Sequence, residues 1–228
     1  MVRLSFFAGW ALALAALMTS SASAQFGRGF QMPPAVQTIL LLRTEAVQKE
    51  LDLGTEQTKS ISDMAGQMQS DAMEIMSGLQ DLTEEERKEE LPNLMKMMGE
   101  KGKELQAKVD KILNPKQTAR VKELSLQRRG VAALQDDEIV AALKVSDEQK
   151  TQLIAIRDSL AKAQEEVMKA VIAGGGGADR STIQAKMEAM RKDLGDKALA
   201  VLTTEQRDQF EKMKGAKFNF PPTRGFGF

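Results

Sequence analysis

The sequence predicts an all-α protein: two tandem repeats of a long antiparallel helical hairpin, each with short flanking helices. Three observations lead there. Apolar residues recur at spacings of three and four over long stretches, and no stretch alternates apolar and polar long enough for a strand. The 228 residues include 14 Met and only 4% aromatics amid many Ala, Leu, Glu, Gln and Lys, which favours helix over sheet. The chain also aligns on itself. Residues 42–57 fall without gaps on 134–149, an offset of 92, and Leu105, Val109, Ile112, Leu113 and Gln117 fall on Leu194, Ala198, Val201, Leu202 and Gln206, an offset of 89.

Taken in order, residues 1–24 read as a secretory signal peptide. Arg3 gives the basic start, residues 4–18 form an apolar run broken only by Ser5 and Gly9, and Ala22-Ser23-Ala24 supplies a small-x-small cleavage site. The run is shorter than the roughly 20 residues of a membrane span. The expectation is a periplasmic protein cleaved after Ala24, with no membrane span afterwards. Cleavage removes Arg3 and the single Trp, Trp10, leaving 31 bases against 32 acids. Residues 25–37 are expected to be a flexible tail, 38–130 helical unit 1, 131–216 helical unit 2, and 217–228 a second flexible tail rich in Phe, Gly and Pro.

Within unit 1 a short helix near 44–51 precedes a long one striped by Ile61, Met64, Ala65, Met68, Ala72, Ile75, Met76 and Leu79. The next carries Leu91, Leu94, Met95, Met98, Leu105, Val109 and Ile112. Unit 2 repeats the pattern with Leu153, Ile156, Leu160, Ala163, Val167 and Val171, then Ile183, Met187, Met190, Leu194 and Val201. Turns at 78–83 and 174–179 make each long pair an antiparallel hairpin.

The composition excludes several functions. With no Cys and no His, the chain has no disulfide, no thiol nucleophile, no His general base and no zinc site of the usual kind. The balance of 32 bases and 32 acids argues against nucleic acid as a partner. Gly174 to Gly177 lacks the Lys-Ser/Thr ending of a phosphate-binding loop. Glu84 to Glu86 and the Asp136-Asp137-Glu138 cluster read as solvated acids, the first at a helix start that suits negative charge. No enzyme activity, cofactor or metal is expected.

One local pattern occurs four times. Leu202-Thr203-Thr204-Glu205-Gln206 is its fullest form; Leu113-Asn114-Pro115-Lys116-Gln117, Leu53-Gly54-Thr55-Glu56-Gln57 and Val145-Ser146-Asp147-Glu148-Gln149 are variants. Each is an apolar anchor, an N-cap, two early-turn residues and a Gln at the third helical position: the grammar of a capping box. The four copies resemble the LTxxQ-motif, Spy/CpxP-like family of periplasmic proteins. That resemblance implies a long hairpin flanked by two motif segments, a cradle-shaped dimer, and activity as an ATP-independent chaperone or as an inhibitor in envelope-stress signalling. Partners would be unfolded or partly folded exported proteins, or an envelope sensor. Because one chain holds two units, an internal pseudo-dimer is expected. The other reading is a structural or adaptor coiled-coil protein of the envelope.

Apolar residues off the core stripes are the candidate client surface. At about 100° per residue, Met73, Met97 and Leu199 miss their stripes, while Ile154, Met168 and Ile172 widen theirs. A thioether conforms to many shapes, which suits an adaptable surface.

Overall fold

The computed structural model describes residues 33–80, 82–173 and 180–221. The expected signal peptide, most of the 25–37 segment and the 174–179 turn therefore lie outside the described residues. Among the described residues every regular element is helical: α1 (Pro34–Leu42), α2 (Glu45–Glu50), α3 (Thr55–Gln80), α4 (Glu84–Ile112), α5 (Pro115–Arg129), a 3-10 turn (Gly130–Gln135), α6 (Asp137–Ala142), α7 (Asp147–Ala173), α8 (Arg180–Val201) and α9 (Thr204–Met213).

The chain divides into two units, one running to Ser125 and taking in the segment from Phe218, the other Leu126–Lys217. The division falls inside α5, a few residues before the Gly130 boundary expected from sequence. Side chains of that helix change cores there: Val121 and Leu124 belong to the first, Leu126 to the second.

In unit 1, α1 packs on α2, α3 and α4, and α3 packs on α4. Its buried cluster draws Val36, Ile39, Leu41 and Leu42 from α1, Ile61, Ala65 and Met68 from α3, and Val109 from α4. The sequence predicts a tail through residue 37; instead a helix starts at Pro34, with Ala35 and Val36 buried. Proline is pre-set for a first helical turn and lacks only an N–H that would be unbonded there, so Pro34 opens α1 rather than extending a tail. Gly102 of α4 is what lets the chain before α1 come close: a Cβ there would stand 2.9 Å from the Pro33 ring.

Helices α3 and α4 run antiparallel. Gln57, at the start of α3, bonds the Ile112 carbonyl at the end of α4; Lys101 donates to Asp71; Arg87 Nε donates to the Leu79 carbonyl at 2.8 Å. Thr83 opens α4 with a capping box, accepting from the Glu86 N–H while Glu86 accepts from the Thr83 N–H at 2.8 Å. At 1.5 Å per residue the pair spans about 40 Å. Among the described residues the buried positions all lie toward one end, up to Ala72 in α3 and from Gly102 onward in α4. The remaining arms are long and thinly packed.

In unit 2, α7 packs on α8, and both contact the 3-10 turn, which also packs on α6. Leu134, Leu143, Leu153, Ala198, Leu202 and Phe210 are the centre of its buried cluster. Gly130 has φ 52°, a left-handed conformation that costs glycine little. Arg129 closes the turn by gripping both carboxylate oxygens of Asp136, one at 2.6 Å; Asp136 is thus a fixed partner rather than one of a loose run of solvated acids.

Candidate functional site

The four motif copies come together in pairs, one pair in each unit. In unit 1, Gln57 and Gln117 face each other at the first turns of α3 and α5. Gln57 Nε2 donates to Gln117 Oε1 at 2.8 Å, and Gln117 Nε2 donates back to Gln57 Oε1 at 3.2 Å. Each oxygen also accepts the backbone N–H of its own N-cap, Gly54 at 3.0 Å and Asn114 at 3.0 Å. Each nitrogen also reaches the end of another helix: Gln57 donates to the Ile112 carbonyl at 2.7 Å, and Gln117 to the Leu51 carbonyl at 3.1 Å and the Asp52 carbonyl at 3.5 Å. A glutamine amide has two donor hydrogens and two acceptor lone pairs, so the Leu51 and Asp52 carbonyls share one hydrogen of Gln117. Both amides have partners on both sides.

Unit 2 carries the same arrangement. Gln149 Nε2 donates to Gln206 Oε1 at 2.7 Å and to the Val201 carbonyl at 2.8 Å; Gln206 Nε2 donates to Gln149 Oε1 at 3.0 Å, to Leu143 O at 3.1 Å and to Lys144 O at 3.3 Å. The oxygens accept from the Ser146 N–H at 3.0 Å and the Thr203 N–H at 2.9 Å. Every residue of this network stands 92 or 89 positions from its counterpart in unit 1, the offsets of the sequence alignment.

Local structure explains why these carbonyls are free to accept. A helix leaves its last carbonyls without intrahelical donors. Helices α2 and α6 each end in a Schellman turn: Leu53 N–H bonds Gln48 O at 3.0 Å and Val145 N–H bonds Val140 O at 3.0 Å. The turn requires a left-handed residue, here Asp52 (φ 49°) and Lys144 (φ 51°). Leu53 and Val145 are thus the apolar residues that follow a Schellman turn. Leu113 and Leu202, both buried, directly follow α4 and α8. The capping side chains complete the node: Asn114 Oδ1 accepts from the Gln117 N–H at 3.0 Å, Ser146 Oγ from Gln149 at 3.2 Å, and Thr203 Oγ1 from Gln206 at 3.2 Å. Gly54 has no side chain to do this, so the first copy keeps only the Gln-to-backbone half.

Each node therefore joins four helix ends: the C-termini of α2 and α4 to the N-termini of α3 and α5, and likewise α6, α8, α7 and α9. Local capping accounts for only one of each glutamine's side-chain bonds. The others cross about 60 residues, and the sequence signal for them is the recurrence of two Gln-bearing copies per unit at nearly the same separation. The groups are neutral amides and carbonyls, which suits joining rather than reaction. Among the described residues no group of three His, Cys, Asp or Glu could hold a metal ion, and no helix is long and apolar enough to cross a membrane.

The off-stripe residues divide. Met73 (63% exposed), Ile154 (47%) and Met97 (37%) are among the exposed large apolar side chains. Leu199 is not: it is half-buried and packs on the unit 2 core. Helix α8 has a second packed side: a Cβ on Gly195 would lie 3.7 Å from Val131 of the 3-10 turn, and Leu199 is one turn further along that side. The side chains of Met168 and Ile172 lie outside the described residues. Met95, on the expected core stripe, is 40% exposed, because that stripe outruns its neighbours in the arm. The Asp71–Lys101 and Gln57–Ile112 bonds set a register of α3 on α4 that puts Met73 near the level of Met97. Comparison with protein-family models, curated proteins and solved structures returned no match to this chain.

Proposed function

We propose that this chain is an exported, ATP-independent, client-binding chaperone or envelope-stress modulator of the LTxxQ, Spy/CpxP-like kind, built as two tandem copies of one helical-hairpin unit. The observation that carries the reading is the set of exposed methionines, Met73, Met95 and Met97, on the thinly packed arms of α3 and α4. A helix pair anchored at one end and lined at the other with flexible thioethers suits apolar segments of varied shape. The paired glutamines support the family reading, since the residues that define the motif also join the helix ends in both units.

The test is suppression of aggregation of an unfolded model protein without ATP. Activity near equimolar ratio supports the proposal; inactivity of the folded chain favours a structural or adaptor coiled-coil role in the envelope. Export is tested separately by the intact mass of the secreted form, which should begin at Gln25 and lack Trp10. One chain with two units should supply what two chains supply in the family, and light scattering should find a monomer.

A further inference from the structure

After residue 24, all phenylalanines but one lie in the two ends of the chain: Phe26, Phe30, Phe218, Phe220, Phe226 and Phe228. The exception, Phe210, is fully buried in unit 2. The described part of the C-terminal end shows how such a segment behaves. Gly215 (φ 63°) follows the end of α9, and residues 217–221 have no regular secondary structure. Exposure alternates along them: Lys217, Asn219 and Pro221 are exposed, Phe218 and Phe220 half-buried. That is the two-residue period of an extended chain. Both rings pack against the unit 1 core and meet edge to face, centroids 4.8 Å apart at 81°. Residues 217–228, expected as a flexible tail, are therefore docked at least as far as Phe220.

The buried members of that core all come from residues 36–124. Phe218 and Phe220 pack against that core as half-buried residues and are not among its buried members. We propose that the seat of Phe218 and Phe220 is a binding surface for extended polypeptide carrying Phe at alternate positions, filled here by the chain's own residues 217–221. Two aromatic side chains supply large apolar area, and covalent attachment gives the segment a high effective concentration. An outside segment of the same chemistry competes for the seat once the resident one is weakened. This surface is separate from the methionine arms and does not depend on the chaperone reading.

The test uses the full chain and a fluorescein-labelled Lys-Phe-Asn-Phe-Pro-Pro peptide, read by anisotropy. Phe218→Ser/Phe220→Ser should bind it at least about tenfold tighter than the unsubstituted chain, and should not bind the same peptide with both Phe replaced by Ser. Phe218→Leu/Phe220→Leu, which refills the seat, should bind as weakly as the unsubstituted chain. Three results overturn the proposal: no peptide binding by a Ser variant that keeps its helical circular dichroism, equal binding by both chains, or loss of helix in the Ser variant, which would make the two rings core.

Discussion

Gln57 and Gln117, 60 residues apart, exchange side-chain amide hydrogen bonds in both directions. Gln117 is the buried polar side chain of the described core, 7% exposed. Removing it strands the Leu51 carbonyl and half of the Gln57 amide. Gln117→Ala should cost about 3 kcal/mol, and Gln206→Ala about 2 kcal/mol because water reaches the half-buried node of unit 2 more readily. In a double-mutant cycle Gln57 and Gln117 should couple by about 1 kcal/mol. Urea unfolding checks all three, and strict additivity would mean that the reciprocal bonds contribute nothing.

The left-handed residues before the motif offer an opposite test. Lys144 holds φ 51° at the close of α6, where an L side chain with a Cβ is strained and glycine is not. Lys144→Gly should raise stability by about 1 kcal/mol. Asp52→Gly should gain less, because Asp visits this region more readily. Destabilisation by Lys144→Gly would show that its side chain contributes more than its backbone costs.

What was legible in the sequence was what is local or periodic. Thr203 and Gln206 are three residues apart, so their capping box can be read from spacing alone. The long-range half of the same glutamine, its bond to Leu143 O, depends on where α6 stops, which no local rule supplies. Leu199 departs from the expected surface for a related reason: one helix viewed alone shows one buried side, and the 3-10 turn that packs on a second side of α8 lies 60-odd residues upstream. Proline and phenylalanine near the ends suggested tails at Pro34 and Phe218, but apolar residues in an otherwise aromatic-poor chain find a core to pack against.

The ion pair across α3 and α4 makes stability pH-dependent. Hydrogen bonds from Lys101 and then Gln67 hold the Asp71 carboxyl below its ordinary value of 3.8. A carboxyl held low in the folded chain stabilises the fold above its unfolded pKa and gives this up as the pH falls through its folded value. Unfolding midpoints in urea should therefore drop on acidification below about pH 4, and less steeply for Asp71→Asn. An identical acid profile for the variant would place the sensitivity in other carboxylates, such as Glu86, which its bonds to Thr83 also hold low.

The proposed function stands or falls most directly on one comparison: ATP-free suppression of aggregation by the unsubstituted chain and by Met73→Ser/Met95→Ser/Met97→Ser. Exposed side chains contribute little to stability, so the thermal midpoint should shift by no more than a few degrees, about 0.5 kcal/mol per site, while suppression falls severalfold. Equal suppression by a variant of unchanged stability would show that the methionine arms are not where clients bind.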